Sequence, residues 1–487
     1  MVALRRIAFG VFFIIYVTVC PATILYALGY SIDPRGPRLV KTGLIYLVTT
    51  PPGAEVRLDG KATGRLTPAL LANLRPGDHL VELSLEGHRT WSDEVPVEAE
   101  KAAVFERVLL SPEHRTVEKL LAGPFEGLYP SGNGDVLLLV PEKTGHKPLL
   151  YDLKKNRVFS AGPSELWSGV LGIDSVVTVK ESPLLVIRAR TPAGPSWLGL
   201  DLHGDEPLAA DWTDLVGKGP AVIAWDNRND DVLFVYREGT LFRVLVRERE
   251  VREMPRKRIR GFGVEGKRLY VLGEDLDFTA SDFRGVPKEV LFHDPALGEV
   301  LFGDKSFFRV YFPTESTAIF WGERGELVAS RLPYRFAQEG IKGFEWDPTN
   351  GRLLVWQTDK LGVIDFARKS EAEKSFFERA SKLTWIHRGI RGLEEAFWVH
   401  RGSHILLHGD GRVRLVDLET YGRPKIEDLV SVRPDAKCFW SEKEGKLAYL
   451  AENGDLEALE IVPKKKLLEL PFPDKSKAKP KGEIPEL

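Results

Sequence analysis

Four histidines in the last quarter of the chain carry the side chains best suited to bind a metal. They are His387, His400, His404 and His408, and the imidazole nitrogen is a standard zinc ligand. A spacing of four residues, as between His404 and His408, brings two ligands to one face of a helix. The surrounding residues are typical of a strand and a turn. We therefore predict that these histidines do not form a metal site.

Two acidic segments contain carboxylates of the kind that bind calcium. Asp275 and Asp277, with Asp282 nearby, form one segment, and residues 226–231 form the other. A calcium loop also needs a glycine at its sharp turn and a distal glutamate that binds through both oxygens. Neither stands at the required spacing after Asp275. We therefore interpret both segments as turns between strands.

The stretch Gly261–Gly266 has the glycine spacing of a dinucleotide-binding loop. Such a loop holds a pyrophosphate only when a strand precedes it and a helix follows, because the helix N-terminus binds the anion. Here the residues that follow, Leu269–Leu272, have the composition of a strand. The spacing therefore predicts a turn between strands and no nucleotide cofactor.

The densest basic cluster consists of Arg256, Lys257, Arg258 and Arg260. Such a cluster could contact an anionic glycan, a phospholipid or a polymer phosphate. Basic side chains on the exposed edge of a sheet also prevent strand pairing between molecules. We favour this second interpretation.

Other motifs of catalysis are missing from the sequence. It has no Walker loop, no zinc-protease helix and no nucleophile elbow. The two cysteines are Cys20, in a hydrophobic run, and Cys438, near the other end of the chain, so a disulfide framework is excluded. Two cysteines alone cannot build a structural zinc site. We therefore name no catalytic, cofactor-binding or metal-binding residue, expect no cofactor, and favour a protein that is not an enzyme.

Length and charge limit the class of protein. A chain of 487 residues exceeds the size of a single hydrophobic core, so several domains or a repeat architecture are expected. Hydrophobic residues make up 43% and charged residues 28%, which is typical of globular proteins. The net charge of -2 gives no reason to expect a nucleic acid partner, which requires a basic face.

The N-terminal segment has the composition of a membrane anchor. No charged residue occurs from Ile7 to Ile32, and residues 7–30 would form a helix about 36 Å long, enough for a hydrocarbon core of roughly 30 Å. We predict a tail at 1–6, a transmembrane helix at 7–30 that contacts membrane lipid, and a juxtamembrane linker at 31–41.

Two cleaved alternatives fit this segment less well. A signal peptide needs small residues before its cleavage site, and Leu25 stands where one is wanted. A lipoprotein signal needs a small residue before its cysteine, and Val19 precedes Cys20. Flanking basic residues do not decide the orientation, but a long C-terminal region is translocated regardless of charge. The expected location is the cell membrane, single-pass, with the C-terminal domains outside.

Residues 42–111 have the pattern of a small β-sandwich. Ala54, Val56 and Leu58 alternate with polar residues, which is the period of a half-buried strand. The dipeptide at 59–60, Asp-Gly, tolerates the positive φ angles of a tight hairpin. Trp91 is predicted to lie in the core.

Several spaced motifs run through the same region. Pro51–Ala54 forms a turn that leads into a strand ending in Asp59-Gly60, and further motifs are Thr67-Pro68, Leu74-x-Pro76-Gly77 and Glu86-Gly87-His88. These motifs resemble the PEGA family, whose signature is a Pro-x-Gly-Ala turn and a strand that ends in Asp-Gly. Pro52 departs from the polar residue usual at that position. The resemblance implies a β-sandwich module of surface or envelope proteins without catalytic residues.

Residues 112–466 repeat one pattern, in which a turn precedes a hydrophobic strand and a second turn and strand follow. One residue of each repeat can be taken as equivalent, and their average spacing is about 44 residues, the period of a four-stranded propeller blade. We predict a mainly β protein with a β-propeller of about eight, alternatively seven, blades. A helical interruption is expected at Ala367–Ser381 and a disordered tail at 467–487. The equivalent residues are Leu137, Leu185, Leu233, Leu269, Ile319, Leu354, Leu406 and Leu447.

Three functions are compatible with this organisation. The first is a membrane-anchored envelope protein whose propeller is a binding or scaffold surface for a protein or a cell-wall polymer. The second is an envelope glycan hydrolase or lyase with a site in the propeller channel. The third is a structural subunit of an envelope assembly. Fold alone does not decide between them, and we expect the first.

Overall fold

The computed structural model describes residues 2–27, 29–32, 39–143, 146–204, 206–293, 307–314, 317–331, 334–366, 383–434 and 436–463. Within these residues the chain is mainly β, as predicted, with 41 strands and three helices. The predicted helical interruption at 367–381 and the predicted tail at 467–487 both lie outside the described residues.

The N-terminal segment differs from its prediction. Helix α1 covers Val2–Ala27, and strands β1 (Tyr30–Ile32) and β2 (Leu39–Lys41) form an antiparallel ladder after it. Among the described residues, no helix combines the length and the apolar character needed to cross a bilayer. The predicted transmembrane helix at 7–30 is therefore wrong. The helix already ends at Ala27, and Tyr30 belongs to the β-ladder, so the uncharged run is not one continuous helix.

Residues 43–109 form two facing sheets. Strands β6-β3-β9 make one sheet and β5-β4-β7-β8 make the other. The predicted alternation is confirmed, because Ala54 and Val56 are buried while Glu55 and Arg57 are exposed. Trp91 lies in the shared core, also as predicted. The strands are β3 (Gly43–Thr50), β4 (Glu55–Leu58), β5 (Lys61–Leu66), β6 (Ala69–Leu74), β7 (Gly77–Ser84), β8 (Trp91–Val97) and β9 (Ala102–Leu109).

The rest of the described chain forms eight groups of four antiparallel strands, which we call units 1 to 8. In units 1 to 7 the strands follow one another in chain order. Units 1 to 4 contain β11 (Phe125–Pro130), β12 (Val136–Pro141), β13 (Leu149–Asp152), β14 (Arg157–Ser160); β15 (Gly172–Thr178), β16 (Leu184–Thr191), β17 (Gly194–Asp201), β18 (Leu208–Asp211); β19 (Val222–Asp226), β20 (Asn229–Arg237), β21 (Thr240–Leu245), β22 (Glu250–Lys257); β23 (Ile259–Glu265), β24 (Arg268–Gly273), β25 (Asp277–Ser281) and β26 (Pro287–His293).

Units 5 to 8 continue the pattern. Units 4 and 5 also pair with each other, through a short parallel contact between their first strands. Two short helices, α2 (Ser164–Trp167) and α3 (Thr213–Val216), precede units 2 and 3. The strands are β27 (Phe308–Thr314), β28 (Thr317–Gly322), β29 (Leu327–Arg331), β30 (Tyr334–Gln338); β31 (Gly343–Asp347), β32 (Arg352–Trp356), β33 (Lys360–Asp365), β34 (Thr384–Arg388); β35 (Leu393–Val399), β36 (His404–Gly409), β37 (Arg412–Asp417), β38 (Lys425–Ser431); β39 (Phe439–Ser441), β40 (Lys446–Leu450) and β41 (Leu456–Glu460).

Unit 8 takes its fourth strand from the other end of the repeat region. Strand β10 (Val117–Leu121), which precedes unit 1, pairs antiparallel with β41. Lys119 also forms an ion pair with Asp455, 2.5 Å apart. The two ends of the eight-unit region are therefore joined in one sheet.

Each unit shares an apolar core with both of its neighbours. Leu138 of unit 1 packs with Leu185 of unit 2, and similar clusters join each following pair. Leu450 of unit 8 packs with Leu137 of unit 1, which closes the series into a ring. Full burial of one such side chain contributes roughly 1.5–3 kcal/mol, so the contacts between units are a main source of stability.

The residues that the sequence marks as equivalent occupy equivalent places. All eight lie on the second strand of a unit, one in each unit, and all are buried. The turn after the third strand is also repeated. In Asp152, Asp201 and Asp417 a carboxylate oxygen accepts the N–H two residues on, at 2.8–2.9 Å, which is the usual way an aspartate stabilises a turn.

Candidate functional site

The glycine string and the basic cluster both belong to strands and turns. Ile259–Glu265 is a strand, and Gly266 begins a turn with a φ of +58°. Of the basic residues, Arg258 is exposed and Arg260 is half-buried. The side chains of Arg256 and Lys257 lie outside the described residues. The geometry that a pyrophosphate needs, a helix after the loop, is replaced by a strand.

The acidic segments stabilise turns through backbone contacts. Asp275 accepts the N–H of Asp277 at 3.2 Å, and Asp282 accepts the N–H of Arg284 at 2.9 Å. Asp226 accepts the N–H of Arg228 at 3.0 Å in the same way. These oxygens already serve as turn acceptors, as expected for Asp residues that begin a turn.

The four histidines lie on two strands and in one turn. His387 is half-buried on β34, and burial, followed by the charge of Arg414, lowers its pKa. His400 lies in the turn between β35 and β36. His404 and His408 lie on β36 and share one of its faces, but four residues of strand separate them by about 13 Å. They cannot bind one ion together, so each must be considered with its own neighbours.

His404 belongs to a buried series of polar contacts between the PEGA-like module and unit 7. The Trp91 Nε1–H donates to Asp417 Oδ2 at 2.9 Å, and Asp417 Oδ1 lies 3.3 Å from His404 Nε2. His404 Nδ1 is hydrogen-bonded to Ser403 Oγ at 2.8 Å. Burial lowers the pKa of His404 to about 3 and raises that of Asp417.

This order of groups, serine, histidine and aspartate, is the order of a catalytic triad. Catalysis needs a nucleophile that substrate can reach, and here Ser403 is 4% exposed. Its hydroxyl also donates to the His400 carbonyl at 2.9 Å. At the other end of this series of contacts, Trp91 of the PEGA-like module covers Asp417. The arrangement therefore joins two domains and does not form an active site.

An ion cluster reinforces the same junction. Glu427 of unit 7 binds Arg89 and Arg115, each at 2.9 Å, and accepts the Ser111 hydroxyl at 2.6 Å. Arg115 is only 11% exposed, so this pair is less screened by water than a surface pair. The cluster connects the end of the module and the residues that follow it to one sheet of the ring.

Further contacts extend over units 6 and 7. The Arg107 guanidinium donates to the Asn350 side chain at 3.4 Å and also to the Arg401 carbonyl. Phe105 packs edge-on against Tyr421, with 5.4 Å between ring centres. All of these ring residues lie on or beside turns that join first to second or third to fourth strands. Since turns alternate between the two edges of a meander, the module covers one edge only.

A cavity of about 290 Å³ opens at the opposite edge. Burial raises the pKa of Tyr129 in its wall, and Lys437 lies 5.8 Å from the centre of the Tyr129 ring. Arg433 donates to the Phe125 carbonyl at 3.1 Å. The lining comes from the first strands of units 1 and 2, from β12 and from the connection between units 7 and 8. It consists of Glu126, Gly127, Tyr129, Val140, Ile173, Arg433 and Pro434.

His408 lies in a second cluster, with Glu395 and Cys438. Glu395 and His408 face each other across β35 and β36, and Cys438 comes from the start of unit 8. One ligand atom of each residue lies within 4.8 Å of the other two. The Cys438 N–H donates to Glu395 Oε2 at 2.8 Å. Burial raises the pKa of the Cys438 thiol well above its usual value, and the charges of Glu395 and Glu394 add to this.

Sequence reasoning missed this cluster because it compared histidines only with one another. A signal was present, since Glu395 and Cys438 are 43 residues apart, almost one repeat. Residues one repeat apart occupy neighbouring places in adjacent units. The turn at 400–403 places His408 opposite Glu395. Cys438 should therefore have been paired with the strand that carries Glu395.

Glu345 occupies a related position one unit earlier. It lies on the first strand of unit 6 and accepts the N–H of Trp398, in the first strand of unit 7, at 2.5 Å. Burial raises its pKa to about 8; the Trp398 N–H and, more weakly, the charge of Lys180 act in the opposite direction. At neutral pH the carboxyl therefore holds its proton.

Comparison with known proteins places a family on one part of the chain. No curated protein matches. Among solved structures the chain is similar to the crystal structure of the computationally designed Ika8 protein, with 10% identity, a TM-score of 0.43 and coverage of 71% of this chain and 100% of that one. A similarity this distant says nothing about function. Residues 42–110 match the family model of the PEGA domain, which confirms the resemblance drawn from the motifs of that region.

Proposed function

We propose that this protein is a binding scaffold whose eight-unit ring is an eight-bladed β-propeller. One edge of the propeller carries the PEGA domain, and the other edge binds a partner, either a protein or a cell-wall polymer. The topology supports the propeller assignment, because consecutive four-stranded meanders share cores in a ring and a strand from the opposite end completes the last sheet. That closure is the usual way a propeller avoids free sheet edges.

The position of the PEGA domain supports a scaffold. Its hydrogen bond from Trp91 to Asp417 is buried, and the Glu427 cluster adds three polar contacts. A linker between domains that move freely has few such contacts. The domain is therefore held in one orientation relative to the ring, and it leaves the opposite edge open.

The single observation that carries the proposal is the cavity at this open edge. Its walls come from unit 1, from unit 2 and from the connection between units 7 and 8, so a ligand there contacts several units at once. Its volume of about 290 Å³ lies at the lower end of the range for small-molecule pockets, about 300–1,000 Å³, and suits one inserted side chain or a short segment. Glycoside hydrolysis needs two carboxylates, and Glu126 is the one acid in the described lining.

A photocrosslinking amino acid placed at two edges of the ring tests the proposal. With p-benzoylphenylalanine at Ile173, beside the cavity, we expect one discrete adduct in cells of the source organism, identified by mass spectrometry. The matched control carries the same group at Glu248, an exposed residue on the edge that bears the PEGA domain, and should give none.

A second substitution tests the role of the cavity. Glu126→Lys reverses a charge at its mouth, and we expect it to reduce the Ile173 adduct by about tenfold or more, equivalent to ~1.4 kcal/mol. Equal adducts at both edges, or an adduct unaffected by Glu126→Lys, would contradict a partner site at the cavity. Cleavage of a purified envelope glycan by the full chain would favour an enzyme instead.

A further inference from the structure

We propose that Glu395, His408 and Cys438 bind one zinc ion, which joins unit 7 to unit 8. The three side chains supply oxygen, nitrogen and sulfur, a mixture that zinc accepts. Calcium and magnesium prefer oxygen ligands, so the thiol and the imidazole argue against them. The site is independent of the partner-binding edge proposed above.

The burial of His408 and its unpartnered ring nitrogens favour a metal ligand. Its side chain is 1% exposed, and neither ring nitrogen has a hydrogen-bond partner among the described residues. A buried polar group without a partner is costly, by about 1–3 kcal/mol, and such groups call for a specific explanation. A metal ion would provide a partner for one of these nitrogens, because it binds the lone pair of a neutral imidazole and needs no proton from it.

The distances are the second argument. His408 Nδ1 lies 3.6 Å from Glu395 Oε2, which is too long for a hydrogen bond. Bond lengths of about 2.0–2.3 Å to zinc put two ligand atoms of a tetrahedral site roughly 3.3–3.8 Å apart. All three ligand atoms lie within 4.8 Å of one another. Side-chain rotations that shorten the longest of these separations by up to about 1 Å bring all three ligands onto one ion.

The surroundings supply what the ion still needs. Glu394 Oε2 lies 3.8 Å from His408 Nδ1, close enough to become a fourth ligand in place of water. Glu395 already accepts the Cys438 N–H, and this contact fixes the carboxylate beside the thiol. Contacts of this kind, which hold a ligand in position, are usual around metal sites.

The test uses the purified full-length chain, stripped with a chelator and dialysed against zinc chloride. Elemental analysis should give one zinc per chain. Cobalt chloride should give thiolate-to-cobalt charge-transfer absorption, which reports the sulfur ligand directly in the unaltered chain. This second measurement does not depend on whether any variant folds.

Variants assign the ligands. Cys438→Ser and His408→Ala should each weaken zinc binding by more than about 100-fold, since changes outside the ligand set already cost about 10–100-fold. Cys20→Ser is the matched control for the thiol, and it should bind as the unaltered chain does. Absence of stoichiometric zinc from the folded chain would overturn the proposal. So would cobalt absorption that persists in Cys438→Ser or disappears in Cys20→Ser.

Discussion

Two glutamates form comparable bridges in the ring and differ in what surrounds them. Glu345 joins unit 6 to unit 7, and Glu395 joins unit 7 to unit 8, each by accepting an N–H from the next unit. The N–H that Glu345 accepts belongs to Trp398, and burial raises the pKa of Glu345 to about 8. Beside Glu395 lie an imidazole and a thiol. The same type of contact, a glutamate that accepts an N–H from the next unit, thus occurs with a protonated carboxyl at Glu345 and beside the proposed zinc ligands at Glu395.

Metal removal should separate the two bridges most strongly. With free zinc at about 1,000 times its dissociation constant, binding stabilises the folded chain by about 4 kcal/mol. We expect a chelator to lower the melting temperature of the unaltered chain and of Glu345→Gln by the same amount. Calorimetry with and without chelator measures this difference. A chelator effect of unchanged size in Cys438→Ser would contradict the comparison.

The second prediction concerns pH and the bridge at Glu345. The carboxyl has an ordinary pKa of 4.5 when unfolded and about 8 when folded. Between these values the folded state holds a proton that the unfolded state has lost, so stability falls as pH rises. We expect Glu345→Gln to remove a loss on the order of 4 kcal/mol across that window. Urea unfolding at several pH values measures it, and parallel curves for both proteins would contradict the assignment.

A third carboxylate, Asp417, extends the comparison from a contact between units to one between domains. Trp91→Phe keeps the aromatic ring but removes the N–H that Asp417 accepts. Leaving that buried oxygen with one donor fewer should cost about 1–2 kcal/mol. Asp93→Asn, next to the same junction and also in contact with the Tyr421 N–H, is a milder control. Denaturant unfolding followed by tryptophan fluorescence compares the two; equal effects would mean that the buried bond is unimportant.

The smallest effect is expected at Lys180, whose charge lowers the pKa of Glu345. Lys180→Met should move the pH at which stability falls upward, by less than about one unit, equivalent to ~1 kcal/mol or less. The same urea titrations detect the shift. A downward shift would show that Lys180 does not act on Glu345 through its charge.

The repeat was readable from the sequence because hydrophobic strands and turns carry local signals. The equivalent position at Leu233 and the Asp59-Gly60 turn depend only on neighbouring residues, and the structure has them where they were expected. The N-terminal helix was misjudged because hydropathy alone does not tell where a helix ends. The contacts of Tyr30 with Lys41 in the β-ladder decide that end.

The clusters of buried polar groups were beyond the sequence for a different reason. Cys438 meets His408 because two units pack side by side, and Trp91 meets Asp417 across 326 residues. Such pairings depend on the register between sheets, which no local pattern encodes. Only the repeat length pointed to one of them, through the spacing of Glu395 and Cys438.

The shared last sheet has a consequence for how the chain is made. During synthesis the segment containing β10 leaves the ribosome early, but β41 follows only after more than 330 further residues, as the Lys119–Asp455 pair shows. Until then one flank of the nascent ring has an open backbone edge, which is a template for aggregation. Truncated products that stop before Leu456 should therefore aggregate and be degraded quickly. A circular permutant with its new ends in an exposed turn should still pair β10 with β41 and close the ring.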